Sequence, residues 1–192
     1  MLTKIENVWV LNPRAPLSLR QSQSHAVDVF YGCVIIKDDT IIYAGKPEGW
    51  NDDGGLAGGA QDRQFDTIVD GKGKVLIPGL INCHTHVPMV MLRGLADDLE
   101  LHNWLEQAVF PIEDRMTPED VYWASKVGIA EMIRGGTTCF SEMYFHMDAV
   151  AQAVEETGIR AVLSRGFAGS GDDGGAAKLA DGLDFALRQR NG

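Results

Sequence analysis

The sequence predicts an α/β protein: a small β unit over residues 1-73 and, over 74-192, three strand-helix repeats that form a parallel sheet. Three observations predict it. Near Val75 the period changes, from short β-prone runs broken by turn residues to strand, helix, strand, helix. Val75 to Ile81 is a continuous apolar run, the pattern of a parallel strand covered on both faces. That run leads into His84-Thr85-His86, two imidazoles at i, i+2 that project to one side of a strand.

In order along the chain, Asn7 to Leu11 and Cys33 to Lys37 are β-prone, and Thr40 to Gly45 follows the turn residues Asp38 and Asp39, which is hairpin logic. Trp50 to Gln64 holds too little apolar surface to bury and is expected to be a loop. Thr67 to Asp70 gives one more short strand before the turn Gly71-Lys72-Gly73. In the second part, Thr117-Pro118-Glu119-Asp120 starts a helix: Thr as N-cap, Pro at the first helical position, acids in the first turn, and Asp where a capping-box acid belongs. Val121, Val127, Ile129, Met132 and Ile133 continue it, and Gly135-Gly136 ends it. Thr137 to Tyr144 reads as the second strand, Ala149 to Thr157 as the second helix, and Arg160 to Phe167 as the third strand. Beyond a loop at Gly169 to Gly175, Leu179, Leu183 and Leu187 at i, i+4, i+8 mark an amphipathic helix over Ala177 to Gln189.

Three such units imply helical crossovers between parallel strands. They do not close an eightfold barrel, which takes ~250 residues, so the sheet is either open or the front portion of something larger. The composition, 45% apolar and 23% charged over 192 residues, is that of a globular chain able to bury a core. A formal net charge of -10 with no Lys/Arg run argues against nucleic acid or an anionic membrane as partner. Three widely spaced cysteines, Cys33, Cys83 and Cys139, form neither a disulfide framework nor a C-x-x-C zinc knuckle. With no signal-peptide pattern at Met1 to Glu6 and no long apolar span, a cytoplasmic protein is expected.

Histidine is the commonest metal ligand, and a catalytic zinc takes three protein ligands and an open position. The pair at 84 and 86 supplies two of them. Taken with its surroundings the motif resembles a known family. Pro78-Gly79-Leu80-Ile81-Asn82-Cys83-His84-Thr85-His86, preceded by a β unit, is similar to the opening of the amidohydrolase superfamily. The stretches Met91 to Leu99, Trp104-Leu105, Pro111 to Arg115 and Glu142 to His146 narrow the resemblance to the 5-methylthioadenosine/S-adenosylhomocysteine deaminases. The resemblance implies an incomplete (β/α)8 barrel, its first three βα units preceded by a portion of a flanking β-sandwich. It implies one Zn2+ per complete site, with His84 and His86 as first-strand ligands, and a small purine nucleoside-type substrate. Zinc-assisted attack of water on an aromatic C-N carbon, with ammonia leaving, would be the reaction. Glu113 matches the carboxylate that binds ribose hydroxyls, and Arg165 a substrate-binding arginine at a strand end. A second arginine of the pattern is missing: Ala176 stands there, with Lys178 two residues on.

Trp104 is a candidate pocket wall, with core packing among Leu101, Leu105 and Val109 as the plainer reading. His146 is expected to be a polar residue of a βα loop, Asp97 and Asp98 a solvated pair rather than an acid-base couple, and Cys83, next to His84, a buried and inert thiol. His25 and His102 belong to no constellation. The remaining zinc ligand and acid-base groups of the family lie on later strands, so these 192 residues alone are expected to bind zinc weakly and to lack deaminase activity. Alternatives are a guanine, 8-oxoguanine or pterin deaminase, a triazine hydrolase of the same superfamily, or a non-catalytic truncated paralogue. Association into a homo-oligomer is a further expectation.

Overall fold

A computed structural model describes residues 1–13, 27–50, 65–166 and 175–189, and the chain divides into two units, Met1–Pro78 and Gly79–Gly192. In the first unit, β1 (Leu2–Pro13) is the central strand. It pairs antiparallel with β2 (Val27–Lys37), which turns through Asp38-Asp39 into β3 (Thr40–Gly45). Asp38 takes a left-handed φ of 55° there, which Asp tolerates better than most residues. On its other edge β1 pairs in parallel with β4 (Thr67–Asp70) and β5 (Val75–Leu76). Val8, Val10 and Val34 form the small core of this five-stranded sheet.

The second unit is built on a parallel sheet of order β6 (Leu80–Thr85), β7 (Thr137–Tyr144), β8 (Arg160–Arg165). Crossovers α3 (Pro118–Arg134) and α4 (Met147–Thr157) connect the strands, and α5 (Gly175–Gln189) follows. The capping box of α3 forms as its sequence requires: the Thr117 amide donates to Asp120 Oδ2 at 2.8 Å and the Asp120 amide to Thr117 Oγ1 at 3.2 Å. Gly136, at φ 86°, and Gly158, at φ 71°, take the left-handed conformation just past the two helices. Phe140 of β7 packs with Val87, Ile129, Ala153 and Ile159, and Tyr144 with Met116, Val121, Met147, Val150 and Phe185. Phe140, Glu142 and Tyr144 alternate along β7, so one face of the strand is buried in these clusters, and its ladder with β6 sets the two C-terminal ends side by side.

Four expectations are corrected. The run Val75 to Ile81 is not one strand: Val75–Leu76 belongs to the first sheet, and the second sheet begins at Leu80. Pro78 has no amide hydrogen with which to continue a ladder. At Gly79 an added Cβ would lie 2.3 Å from the Thr138 side chain. The run is also not covered on both faces. Ile81 is 67% exposed and Cys83 is exposed rather than buried, because β6 pairs only with β7 and no element of its own unit among the described residues covers that face. The amphipathic stripe of α5 is inverted: Leu179, Leu183 and Leu187 are exposed and Phe185 is fully buried. One helix face alone meets the sheet, and Phe185 does so between the Arg165 and Arg188 guanidiniums, 5.1 and 5.9 Å from its ring centre.

The segment before α3 is ordered into a 3-10 helix at Val87–Leu92 and a helical run over residues 101–113. That run comprises α1 (Leu101–Trp104), a π turn (Leu105–Val109) and α2 (Phe110–Glu113). The π turn ends where Pro111, unable to donate, interrupts the regular ladder. The loops expected at Trp50 to Gln64 and Gly169 to Gly175 lie, apart from Trp50 and Gly175, outside the described residues, as does His25.

Across α3 and α4, Glu156 accepts from Tyr122 Oη at 2.6 Å, Lys126 Nζ at 3.0 Å and Gln152 Nε2 at 3.0 Å. These donors, Tyr122 first, hold its carboxyl down at about 2. A depressed folded-state pKa contributes stability that is complete above the unfolded value near 4.5 and is lost as pH falls toward 2. Glu156→Gln is therefore expected to lower the urea midpoint at pH 7, with the difference from the wild type closing between pH 4.5 and 2.

Candidate active site

Because β6, β7 and β8 are parallel, their C-terminal ends lie along one edge of the sheet, where α/β proteins gather functional groups. A cavity of about 430 Å3 opens at that edge. Its lining combines His86, Met143, Tyr144 and Gly166 from the strand ends with Leu105, Val109, Phe110 and Glu113 from the helical run. It is an apolar concavity with a few polar groups, in the size range of small-molecule sites.

His84 and His86 turn toward each other, with their Nε2 atoms 3.4 Å apart. His86 Nδ1 lies 2.7 Å from the Met143 carbonyl oxygen. A carbonyl only accepts, so Nδ1 carries the hydrogen and Nε2 of the neutral ring is the bare nitrogen. Two nitrogens at ~2.05 Å from a shared tetrahedral ion are ~3.3–3.4 Å apart. The pair therefore has the separation and the tautomer of two ligands, and the carbonyl behind His86 is the usual outer partner of such a ring. Among the described residues no group of three or more His, Cys, Asp or Glu side chains gathers to hold a metal.

Glu113, at the end of α2, faces the same cavity and accepts from Tyr144 Oη at 2.6 Å. Burial first, and the Glu113 carboxylate second, hold the Tyr144 hydroxyl well above the usual phenol range, so it stays a donor. Glu113 thus keeps its other oxygen for a further partner. Arg165 sits at the end of β8 as the sequence predicts, but its fork is engaged by Asp148 Oδ2 at 2.6 Å and by Asp181, over the Phe185 ring. Trp104 is not a lining residue. Its indole donates to the Leu95 carbonyl at 2.8 Å, and its neighbour Leu105 forms the wall.

His146 is outside the cavity lining, its Nε2 3.2 Å from the Met116 carbonyl. Asp97 and Asp98 are exposed, as a solvated pair should be, and His102 pairs with Glu106 at 3.3 Å.

Two residues of the site carry no role in the sequence reading. Tyr144 positions Glu113, and Glu142 is an acid that is 1% exposed. A single acid inside the β-prone run Thr137 to Tyr144 was the available signal, since acids are almost never fully buried without partners.

An amidohydrolase family model matches residues 75–187. The chain belongs to the amidohydrolase family. Its relatives include the 5-methylthioadenosine/S-adenosylhomocysteine deaminase of Moorella thermoacetica, 50% identical over 141 residues that cover 73% of this chain and 31% of the relative. An adenosine deaminase from Xanthomonas campestris, whose crystal structure has bound zinc, is 33% identical with a TM-score of 0.62 and covers 83% of this chain and 33% of that one. Escherichia coli guanine deaminase shares the fold, at 19% identity and a TM-score of 0.63, covering 86% of this chain and 36% of that one. The chain spans about three tenths of the length of the curated relatives it matches. No helix among the described residues is long and apolar enough to cross a membrane.

Tyr144→Phe deletes the donor to Glu113 and keeps the packed ring. The variant is expected to lose about 1 kcal/mol in urea unfolding, the net worth of such a hydrogen bond at a half-buried carboxylate.

Proposed function

We propose that this amidohydrolase chain supplies the first-strand half of a zinc aminohydrolase that deaminates an adenosine derivative such as 5-methylthioadenosine or S-adenosylhomocysteine. The observation that carries the proposal is the 3.4 Å separation of the His84 and His86 Nε2 atoms, with the His86 tautomer set by Met143, at the mouth of the cavity that Glu113 also lines. A bound zinc supplies Lewis acidity that brings the pKa of water toward neutrality. His84 and His86 would hold that ion through their Nε2 atoms. The reaction adds water at the amino-bearing ring carbon and breaks the C-N bond, giving the oxo base and ammonia.

In this reading Glu113 accepts from the vicinal ribose hydroxyls, which a carboxylate with one free oxygen suits. Leu105, Val109 and Phe110 hold the base in the apolar part of the cavity, and Trp104 braces that wall. Arg165 is assigned to the far end of the substrate, where a ligand carboxylate would exchange with Asp148 or Asp181. The three-stranded parallel sheet corresponds to the first three βα units of a (β/α)8 barrel, and the five-stranded sheet to part of a β-sandwich. The likeness to the Xanthomonas campestris adenosine deaminase over 83% of this chain supports a shared fold. The third zinc ligand and the acid-base groups come from polypeptide outside these 192 residues, which by themselves bind zinc weakly and release no ammonia.

A chimera tests this: the matched 141 residues of the Moorella relative are replaced by those of this chain. It is expected to release ammonia from 5-methylthioadenosine, to lose that activity with His84→Ala or His86→Ala, and to show a KM about tenfold higher with Glu113→Gln. A chimera that deaminates guanine and leaves 5-methylthioadenosine untouched would overturn the substrate reading. Full activity in His86→Ala would overturn the metal reading.

A further inference from the structure

We infer that Glu142 is a positioning residue: from inside β7 it fixes the backbone on both sides of His86 and so sets where the His86 Nε2 points. The inference rests on the reading of His86 as a ligand, and its test separates the two.

The ladder between β6 and β7 is regular at Ile81 and Asn82 and then slips, so that Thr85 stands opposite Glu142. Past Thr85 the chain leaves the strand. His86 has φ -130° and ψ 72°, outside both the helical and the extended basins, and Val87 begins a 3-10 helix. The buried Val87 amide accordingly has no strand partner, and an unpaired buried amide is costly. Glu142 Oε2 accepts it at 2.6 Å. The same oxygen lies 2.7 Å from Thr85 Oγ1. Residues 85 and 87 are thus tied to one carboxyl oxygen, while the next residue of β7, Met143, takes the His86 ring hydrogen through its carbonyl. Three consecutive residues of the ligand segment are held by two consecutive residues of the neighbouring strand.

The chemistry of the carboxyl group fits this task. Thr85 has one hydroxyl hydrogen and two acceptors in reach, Glu142 Oε2 at 2.7 Å and the Ser141 carbonyl at 2.8 Å. Both contacts are satisfied when Glu142 brings a hydrogen of its own. Burial pushes the Glu142 carboxyl up from its ordinary value, and its other oxygen is buried with no partner among the described residues. Glutamine keeps a side-chain oxygen that can accept from the Val87 amide, so it should substitute in part and alanine should not.

The test uses the 192-residue chain with Co2+ as probe, read by its visible absorption, and long-range 15N spectra of the histidines in the metal-free protein. Glu142→Ala is expected to weaken Co2+ binding at least tenfold, as loss of an outer partner of a ligand does. It should also replace the single His86 tautomer by an average. Glu142→Gln should bind within about threefold of the wild type, and Thr85→Val, which removes one arm only, should fall between the two. Glu156→Gln, which loosens the α3 to α4 contact away from the site, controls for lost stability and should leave both readouts unchanged. If Glu142→Ala keeps the wild-type tautomer and affinity, or if Glu156→Gln loses them equally, the positioning role is wrong. If the wild type binds no Co2+, the ligand reading fails, and the tautomer spectra alone decide whether Glu142 holds His86. If Glu142→Ala does not fold, Thr85→Val decides: no change in its spectra or affinity refutes the role.

Discussion

The pairing of the last residues of β6 with the last residues of β7 is the constraint from which the site follows. Main-chain and side-chain groups of β7 reach across to β6 at one level: Glu142 to Thr85 and Val87, Met143 to His86. The next residue, Tyr144, reaches the other way, to Glu113 on α2. One strand therefore fixes the His86 imidazole and the carboxylate that share the cavity. Phe140 and Tyr144 anchor β7 in the two cores of the unit, so the order of the site derives from apolar packing around a single central strand. Its helices are held independently, α3 by its capping box and the α3 to α4 contact by the donors around Glu156.

This arrangement divides the labour between the strand ends and the helical run at 101–113. The strands bring the polar groups to one edge because they are parallel. The helical run brings Leu105, Val109, Phe110 and Glu113 over that edge and makes it concave. Burial strengthens the contact of the Tyr144 hydroxyl with Glu113, while the tautomer of His86 follows from the acceptor-only Met143 carbonyl beside its Nδ1. Arg165 shows the opposite case. It stands at the third strand end, yet two aspartates take its fork, and it acts in this state as a joint between β8, α4 and α5.

Much of this was legible in the sequence where the signal is local. The Thr117 to Asp120 cap, the stop at Gly135-Gly136 and strand Thr137 to Tyr144 each follow from residues within one turn or one strand, and each stands as read. The i, i+2 spacing by itself turns both imidazoles to one side of the chain at the end of β6. What local pattern did not carry is which partner covers a face. The run Val75 to Ile81 looks doubly buried, yet Pro78 and Gly79 divide it between two sheets and leave Ile81 and Cys83 exposed. In α5 the leucine period is real, but Phe185 faces inward because the guanidiniums that flank it come from β8 and from α5 itself. Glu142 stands out as a lone acid in a β-prone run, but its role does not, because it depends on a register slip between Asn82 and Thr85 that pairs it with a turn far away in sequence. Glu113 came only from the family resemblance, since nothing in α2 by itself separates it from a solvated acid.

Whether His84 and His86 bind one metal ion through their Nε2 atoms is decided by zinc K-edge X-ray absorption on the chain loaded with one equivalent of Zn2+. Two imidazole nitrogens at ~2.0 Å, completed by oxygen, are expected, with loss of that pattern in His86→Ala. A sulfur scatterer at ~2.3 Å from the exposed Cys83, or an imidazole count unchanged by removing His86, would contradict it.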